Sequence, residues 1–260
     1  MKNYISLSGG VESTTMCLLY GKGSTAIWAD TGAEHSLMYE RINFLEKFFI
    51  QYHNQDFELI RVKGKIKIKG NYVDNLESAV IQQKYMPSHR SRYCTRAFKI
   101  EPIDNYLKIQ GDVSLMIGLN LDEENNRVGN HQTLINVKYS YPLIEDGYTR
   151  SDCEEILNKH GLHPNFPIYM KRGGCKFCYF KSKKEYKALY YLNKKEFNEV
   201  LEFELAYQDK RTKAFTIHSS GISMIDLKKE CEQEMFQEEI YEMYMNKNYE
   251  EKSCGLFCHR

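Results

Sequence analysis

Short apolar stretches bounded by Gly, Asp or Asn recur along the N-terminal half of the chain, at 4–7, 25–29, 57–62 and 113–119. Each is rich in Ile, Val or aromatic residues, and such compact runs predict buried parallel strands. Between them apolar positions fall at helical spacing, at 12–20, 36–50, 75–84 and 99–107. In the second of these, Leu37, Ile42, Leu45, Phe48 and Phe49 share one side. Strand and helix patterns in alternation predict an α/β fold, a doubly wound and mostly parallel sheet with right-handed crossovers. Beyond Tyr141-Pro142-Leu143 and a helix-like stretch at 151–160, the pattern changes. Residues 161–167 form a Pro-containing joint, 171–187 are basic, and 195–249 read as mostly helical, with an acidic and aromatic amphipathic helix at 232–244. The expected organisation is a sheet domain over 1–165 and a mainly helical, cysteine-bearing region over 166–260.

Composition narrows the function classes. Thirty-six basic against 35 acidic side chains give a net charge of +1, so no global field attracts nucleic acid or membrane, and any such binding must be local. The chain opens directly into a strand pattern without the regions of a signal peptide, and no stretch approaches the ~18 apolar residues of a membrane span. A cytoplasmic protein without membrane contact is expected. Its eight cysteines are Cys17, Cys94, Cys153, Cys175, Cys178, Cys231, Cys254 and Cys258. In that setting metal or thiol chemistry explains the clustered ones better than disulfides. Cys17 and Cys153 stand alone in helical patterns and read as packed core residues.

The stretch Ser8-Gly9-Gly10-Val11-Glu12-Ser13-Thr14 lies where the first strand meets the first helix. In a doubly wound sheet, ligands sit beyond the carboxyl ends of the strands. Gly9 and Gly10 permit close backbone approach, Ser8, Ser13 and Thr14 add hydroxyls, and the helix directs its N-terminus at a bound anion. Glu12 repels a bare phosphate, a conflict that a bound cation such as Mg2+ resolves. The pattern is neither a Walker loop nor G-x-G-x-x-G. It resembles the S-G-G-x-D-S loop of the PP-loop ATP pyrophosphatases, with Glu12 in place of Asp. Asp30-Thr31-Gly32-Ala33-Glu34 is similar to the D-T-G-x-E motif of the phosphoadenosine phosphosulfate (PAPS) reductase branch of that superfamily. Arg92-Tyr93-Cys94-Thr95-Arg96 with Lys99-Ile100-Glu101-Pro102, the segment from Gly118 to Glu124 with Arg127, and Tyr141-Pro142-Leu143 resemble further elements of that branch, in the same order. The resemblance spans roughly residues 4–180. It implies a Rossmann-like PP-loop domain in which residues 8–14 and Gly118 cradle the phosphates of ATP or PAPS. Asp30, Thr31, Gly32 and Glu34 would then lie near ribose or metal, and Arg92, Arg96 and Lys99 would complement anionic groups. Glu12, Asp30 and Arg96 are the implied catalytic side chains.

Gly173-Gly174-Cys175-Lys176-Phe177-Cys178 places two thiols at metal-chelating spacing, with Lys171, Arg172 and Lys176 expected to lower their pKa. The resemblance implies that Cys94 joins Cys175 and Cys178 around an iron-sulfur cluster or a metal. Tyr93 stands where some family members carry a second cysteine, so either the cluster keeps an open iron or a fourth ligand comes from elsewhere, with Cys231, Cys254 and Cys258 as candidates. The tail Cys254-Gly255-Leu256-Phe257-Cys258-His259 resembles the E-C-G-L-H tail of PAPS reductases, whose cysteine attacks the sulfonate, although Ser253 and Phe257 replace the Glu and the His. On spacing alone, Cys254 and Cys258 with His259 could instead close a zinc site with Cys175 and Cys178.

Basic residues concentrate at 61–69 and 171–187, the latter interleaved with Phe177, Tyr179, Phe180 and Tyr186. Such mixing suits a nucleic-acid backbone with stacking bases, while Lys alternating with Val62, Ile66 and Ile68 also suits a lysine-guarded edge strand. Three functions follow. The first is ATP cleavage to AMP and pyrophosphate, activating an acceptor such as nucleic acid for sulfur transfer, with a sulfur-donor protein as partner. The second is a sulfonucleotide reductase using Cys254, and the third a non-catalytic nucleotide-binding adaptor. A homodimer is compatible with all three.

Overall fold

A computed structural model of the chain describes residues 1–88, 90–127, 134–171, 174–208, 216–234 and 237–246. It opens β1 (Lys2–Ser6), α1 (Val11–Tyr20), β2 (Ser24–Asp30), α2 (Ser36–Tyr52) and β3 (Phe57–Lys63). A short hairpin follows, β4 (Ile66–Ile68) and β5 (Asn71–Val73), and then α3 (Leu76–Gln83). Next, α4 (Tyr93–Thr95), a π-helical turn (Arg96–Ile100) and α5 (Glu101–Leu107) form one continuous rod into β6 (Val113–Met116). A 3₁₀ turn (Leu121–Glu123), α6 (Glu124–Arg127), β7 (Val137–Ser140), α7 (Pro142–Glu145) and α8 (Arg150–Lys159) come after it. The remainder is helical: a 3₁₀ turn (Ile168–Met170), α9 (Lys183–Leu192), α10 (Lys194–Gln208), α11 (Met224–Gln233) and α12 (Gln237–Met245).

The main sheet has the order β3-β2-β1-β6-β7 with every pairing parallel. Chain order reverses between β1 and β6, so the carboxyl end of β1 faces the crevice where such sheets take their ligands. The sheet is the doubly wound arrangement expected from the apolar runs. β2 shows why its run has no alternation, since all its residues are buried between two helical layers. One hydrophobic cluster extends from Ile5, Leu7 and Trp28 through Ile42, Leu45 and Phe49 to Leu189, Phe203, Met224 and Tyr244. Cys17 and Cys153 are fully buried within it. Among the described residues no helix is long and apolar enough to cross a membrane.

Three elements differ from the sequence reading. The lysine-rich stretch after β3 folds back as the β4–β5 hairpin, because its alternation puts Ile68 and Val73 on a buried side. β7 has a single aliphatic residue and escapes notice as a strand. The run at 232–244 is not one helix: Glu234 leaves α11 in extended conformation (φ −65°, ψ 123°), and α12 starts afresh at Gln237.

Candidate functional site

The turn between β1 and α1 is built by its own side chains. Gly9 adopts φ +81°, the left-handed region where glycine carries no Cβ penalty. Ser8 and Ser13 join across the turn, Oγ to Oγ at 2.9 Å, and Ser13 Oγ accepts from the Ser8 amide at 3.1 Å. No side chain caps α1, whereas Asn75, Thr149, Ser182 and Ser223 cap α3, α8, α9 and α11. The N-terminus of α1 therefore offers its positive end to an outside acceptor. Val11 is buried, and Thr14 is buried with its Oγ1 accepting from Arg41 Nη2 of α2 at 3.4 Å.

The opposite wall comes from the segment after β6. A Cβ on Gly118 would meet the Ser13 amide nitrogen at 3.0 Å and the Glu12 carbonyl carbon at 3.1 Å, so glycine there lets the two backbones touch. Next along, Asn120 donates from Nδ2 to Glu12 Oε1 at 3.0 Å, while its own Oδ1 is buried without a partner. Arg150, the first residue of α8, donates from Nη1 to the same Glu12 oxygen at 2.5 Å and from Nε to Glu154 at 2.8 Å. Glu12 is thus held by an amide and a guanidinium at the mouth of the turn. Sequence reading missed Arg150, which lies 138 positions from its partner and carries no local signal.

At the carboxyl end of β2, Asp30 Oδ1 accepts from the Gly32 amide at 2.8 Å and from Tyr39 Oη at 2.9 Å, and Oδ2 lies 3.9 Å from Lys63 Nζ. Four positions on, the loop pairs with the cysteine loop in an antiparallel bridge between Glu34 and Cys175. Backbone bonds from Lys176 to Ala33 at 3.0 Å and from His35 to Gly174 at 2.6 Å fix it. Phe177 anchors the same loop by stacking on Phe203 of α10, centroids 4.2 Å apart. Glu34 Oε1, buried, accepts from Thr31 Oγ1 at 2.9 Å and Cys175 Sγ at 3.5 Å and lies 3.6 Å from Lys99 Nζ. The Glu34 carboxylate raises the Lys99 pKa, and Cys94, Cys175 and Cys178 all lie near enough to act on that ammonium too. The fold thereby gathers Asp30, Thr31, Glu34, Lys99 and the three thiols on one rim.

The thiols differ from expectation in their chemistry. All three are half-buried, and the loss of water around them raises the pKa of Cys94, Cys175 and Cys178. Lys176 does not activate them, because its ammonium pairs with Glu199 at 2.7 Å. The cations that oppose burial are Lys99 and Arg92 for Cys94, Lys99 for Cys175, and the buried Lys181 with Lys99 for Cys178. Among the described residues no group of three or more His, Cys, Asp or Glu side chains is placed to hold a metal ion, so the thiols as arranged do not fit a three-cysteine centre. Arg92 lies with its guanidinium 5.1 Å from the centre of the Phe180 ring, with Nε and Nη1 buried and unpartnered. Arg96 stands apart, 80% exposed and paired with Glu101 at 2.8 Å, so the structure does not bring it to the rim. Cys254 and Cys258 lie outside the described residues.

Behind the rim, His35 and Glu196 make a buried pair, Nδ1 to Oε2 at 2.6 Å, and Glu196 Oε1 accepts from the Ser36 amide at 2.7 Å. Burial lowers the His35 pKa, leaving the imidazole neutral with Nδ1–H donating. Burial alone would raise Glu196, but the bonds from His35 and Ser36 outweigh it and hold the carboxyl at about 2. This carboxylate from α10 caps α2, which has no cap of its own.

No family model matches the chain. An uncharacterised protein of Methanocaldococcus jannaschii is 34% identical over 113 residues, which is 41% of this chain and 24% of that protein. The chain thus spans about a quarter of the length of that curated relative. Among solved structures, the phosphate complex of phosphoadenylyl-sulfate (PAPS) reductase from Candida auris is similar with a TM-score of 0.41 and 13% identity, over 62% of this chain and 73% of that one.

Proposed function

We propose that the turn at the start of α1 binds the polyphosphate of ATP, and that the protein cleaves ATP to AMP and pyrophosphate to activate an acceptor for sulfur transfer. The observation that carries this reading is the uncapped N-terminus of α1, flanked by the Ser8 and Ser13 hydroxyls, on the same edge of the sheet as a rim of thiols. Ser8 and Ser13 would donate to phosphate oxygens. Glu12, with the unpartnered Asn120 Oδ1 beside it, supplies the oxygen donors that Mg2+ takes. Bound there, the ion would offset phosphate charge.

In the first step an acceptor oxygen attacks the α-phosphorus, the bond to the bridging oxygen breaks, and pyrophosphate leaves. The terminal sulfur of a persulfide on Cys94, Cys175 or Cys178, loaded by a sulfur-donor protein, then displaces AMP. A second thiol of the set attacks the resulting disulfide and releases the thiolated acceptor. The protein disulfide left behind is reduced by an external dithiol. The test is release of AMP and pyrophosphate with candidate acceptors present. The Ser8→Ala/Ser13→Ala variant should lose ATP binding at least about tenfold, since hydrogen bonds to charged groups are worth ~1.5–3 kcal/mol each. Equal binding by wild type and variant rejects the reading.

A further inference from the structure

Beyond β3 the chain carries five basic residues, Arg61, Lys63, Lys65, Lys67 and Lys69, with no acidic residue between Glu58 and Asp74. The β4–β5 hairpin sorts part of this stretch by face. Ile68 and Val73 turn inward, while Lys65, Lys67 and Tyr72 are exposed. Lys67 and Tyr72 are direct cross-strand partners, and the Lys65 and Lys67 ammonium groups lie 4.9 and 5.9 Å from the centre of the Tyr72 ring. Tyr72 is 66% exposed. Lysines alone would be explained as guards of a short strand edge. A large exposed aromatic between them works against that role, since it adds an adhesive apolar face. An aromatic plane flanked by ammonium groups is the chemistry that holds a nucleic-acid strand, phosphates on the cations and a base on the ring.

The hairpin also stands beside the rim. Its root, Gly64, lies against the backbone of Ala97 and Phe98, directly before Lys99, and the last residue of β3, Lys63, reaches toward Asp30. A polyanion on the hairpin would therefore continue toward Lys99 and the thiols along one edge of the molecule.

We infer that the β4–β5 hairpin is a docking finger for single-stranded nucleic acid, with an unpaired base stacked on Tyr72 and the neighbouring phosphates on Lys65 and Lys67. This deepens the proposed function by naming the class of acceptor, and only the acceptor role rests on that reading; docking is independent of it. Single strands are specified because stacking on one tyrosine requires a base free of its partner.

The test is fluorescence anisotropy of the full chain with labelled single-stranded DNA and RNA over a salt series, and ATP binding measured in parallel. Tyr72→Ala should weaken strand binding about 5- to 150-fold, and Tyr72→Phe should restore it. Lys65→Gln/Lys67→Gln should reduce the slope of log affinity against log salt by about 1.4. The tighter of the DNA and RNA arms identifies the strand. ATP binding should be unchanged in all these surface variants. Unchanged affinity in Tyr72→Ala, equal binding of a duplex, or equal displacement by polyglutamate would overturn the inference. Strand binding without ATP binding rejects the nucleotide reading and leaves the finger standing; ATP binding without strand binding does the reverse.

Discussion

Glu12 carries two opposing demands. As a carboxylate at a helix start it suits the dipole, yet it sits where a polyphosphate would lie, and Asn120 and Arg150 hold it there. Glu12→Gln should raise affinity for magnesium-free ATP about tenfold, by removing one repelling charge and freeing Arg150, and should flatten the dependence on Mg2+. Arg150→Gln should weaken Mg·ATP about tenfold, because it removes the charge-assisted hydrogen bond that holds the Glu12 carboxylate in place. Calorimetric titration reads both, and unchanged affinities would remove Glu12 and Arg150 from the site. His35 makes a pH prediction. Its folded pKa lies below the ordinary 6.5, so the unfolded chain binds that proton more readily. Its contribution to stability is full above about pH 6.5 and is lost as pH falls toward the folded value. Glu196, held at about 2 against an ordinary 4.5, loses its contribution in the lower window between those values. Urea midpoints should therefore fall from pH 7 to 5, and His35→Gln should make that decline shallower by up to one proton. An unaltered slope would reject a buried neutral His35.

Among elements, α1 and α2 show how helix ends were assigned to different work. α2 receives Glu196 as its cap, while α1 is left open beside two serines. The approach of the post-β6 segment to the first turn of α1 makes Gly118 a sensitive point. Gly118→Ala should cost about 1–3 kcal/mol in denaturant unfolding, because backbone atoms rather than a movable side chain oppose the new methyl, and should weaken ATP binding as well. A variant as stable and as tight as wild type would mean that this wall yields. The strands of the parallel core were legible because burial on both faces leaves an unbroken apolar run. β7 and the hairpin were not, since one has a single aliphatic residue and the other looks like an edge guard.

At the scale of the whole molecule, the two halves share a core and a seam. The Glu34–Cys175 bridge, the His35–Glu196 pair and the cluster from Ile5 to Tyr244 all cross residue 165. Unfolding should therefore be a single transition. Fluorescence of Trp28, the only tryptophan, reports the sheet, while far-UV circular dichroism reports largely the helices, and the two curves should coincide in urea. Glu196→Ala should lower the midpoint for both probes together, by about 1–3 kcal/mol for each of the two donors left unpaired. Separate transitions would show two independently stable halves.

The sequence by itself determined the α/β alternation, the place of the glycine turn and the cysteine spacing, because each follows from neighbours a few positions apart: burial period, backbone freedom, chelate distance. Only the tertiary structure decided that Glu12 is gripped by Arg150, that α2 borrows its cap from α10, that Glu34 meets Cys175, and that Arg96 stays in solvent. Those partnerships join residues 138, 160 and 141 positions apart, or deny a contact altogether. They also decided which cations act on the thiols: Lys99 and Lys181 oppose the effect of burial, while Lys176, adjacent in sequence, pairs with Glu199 instead.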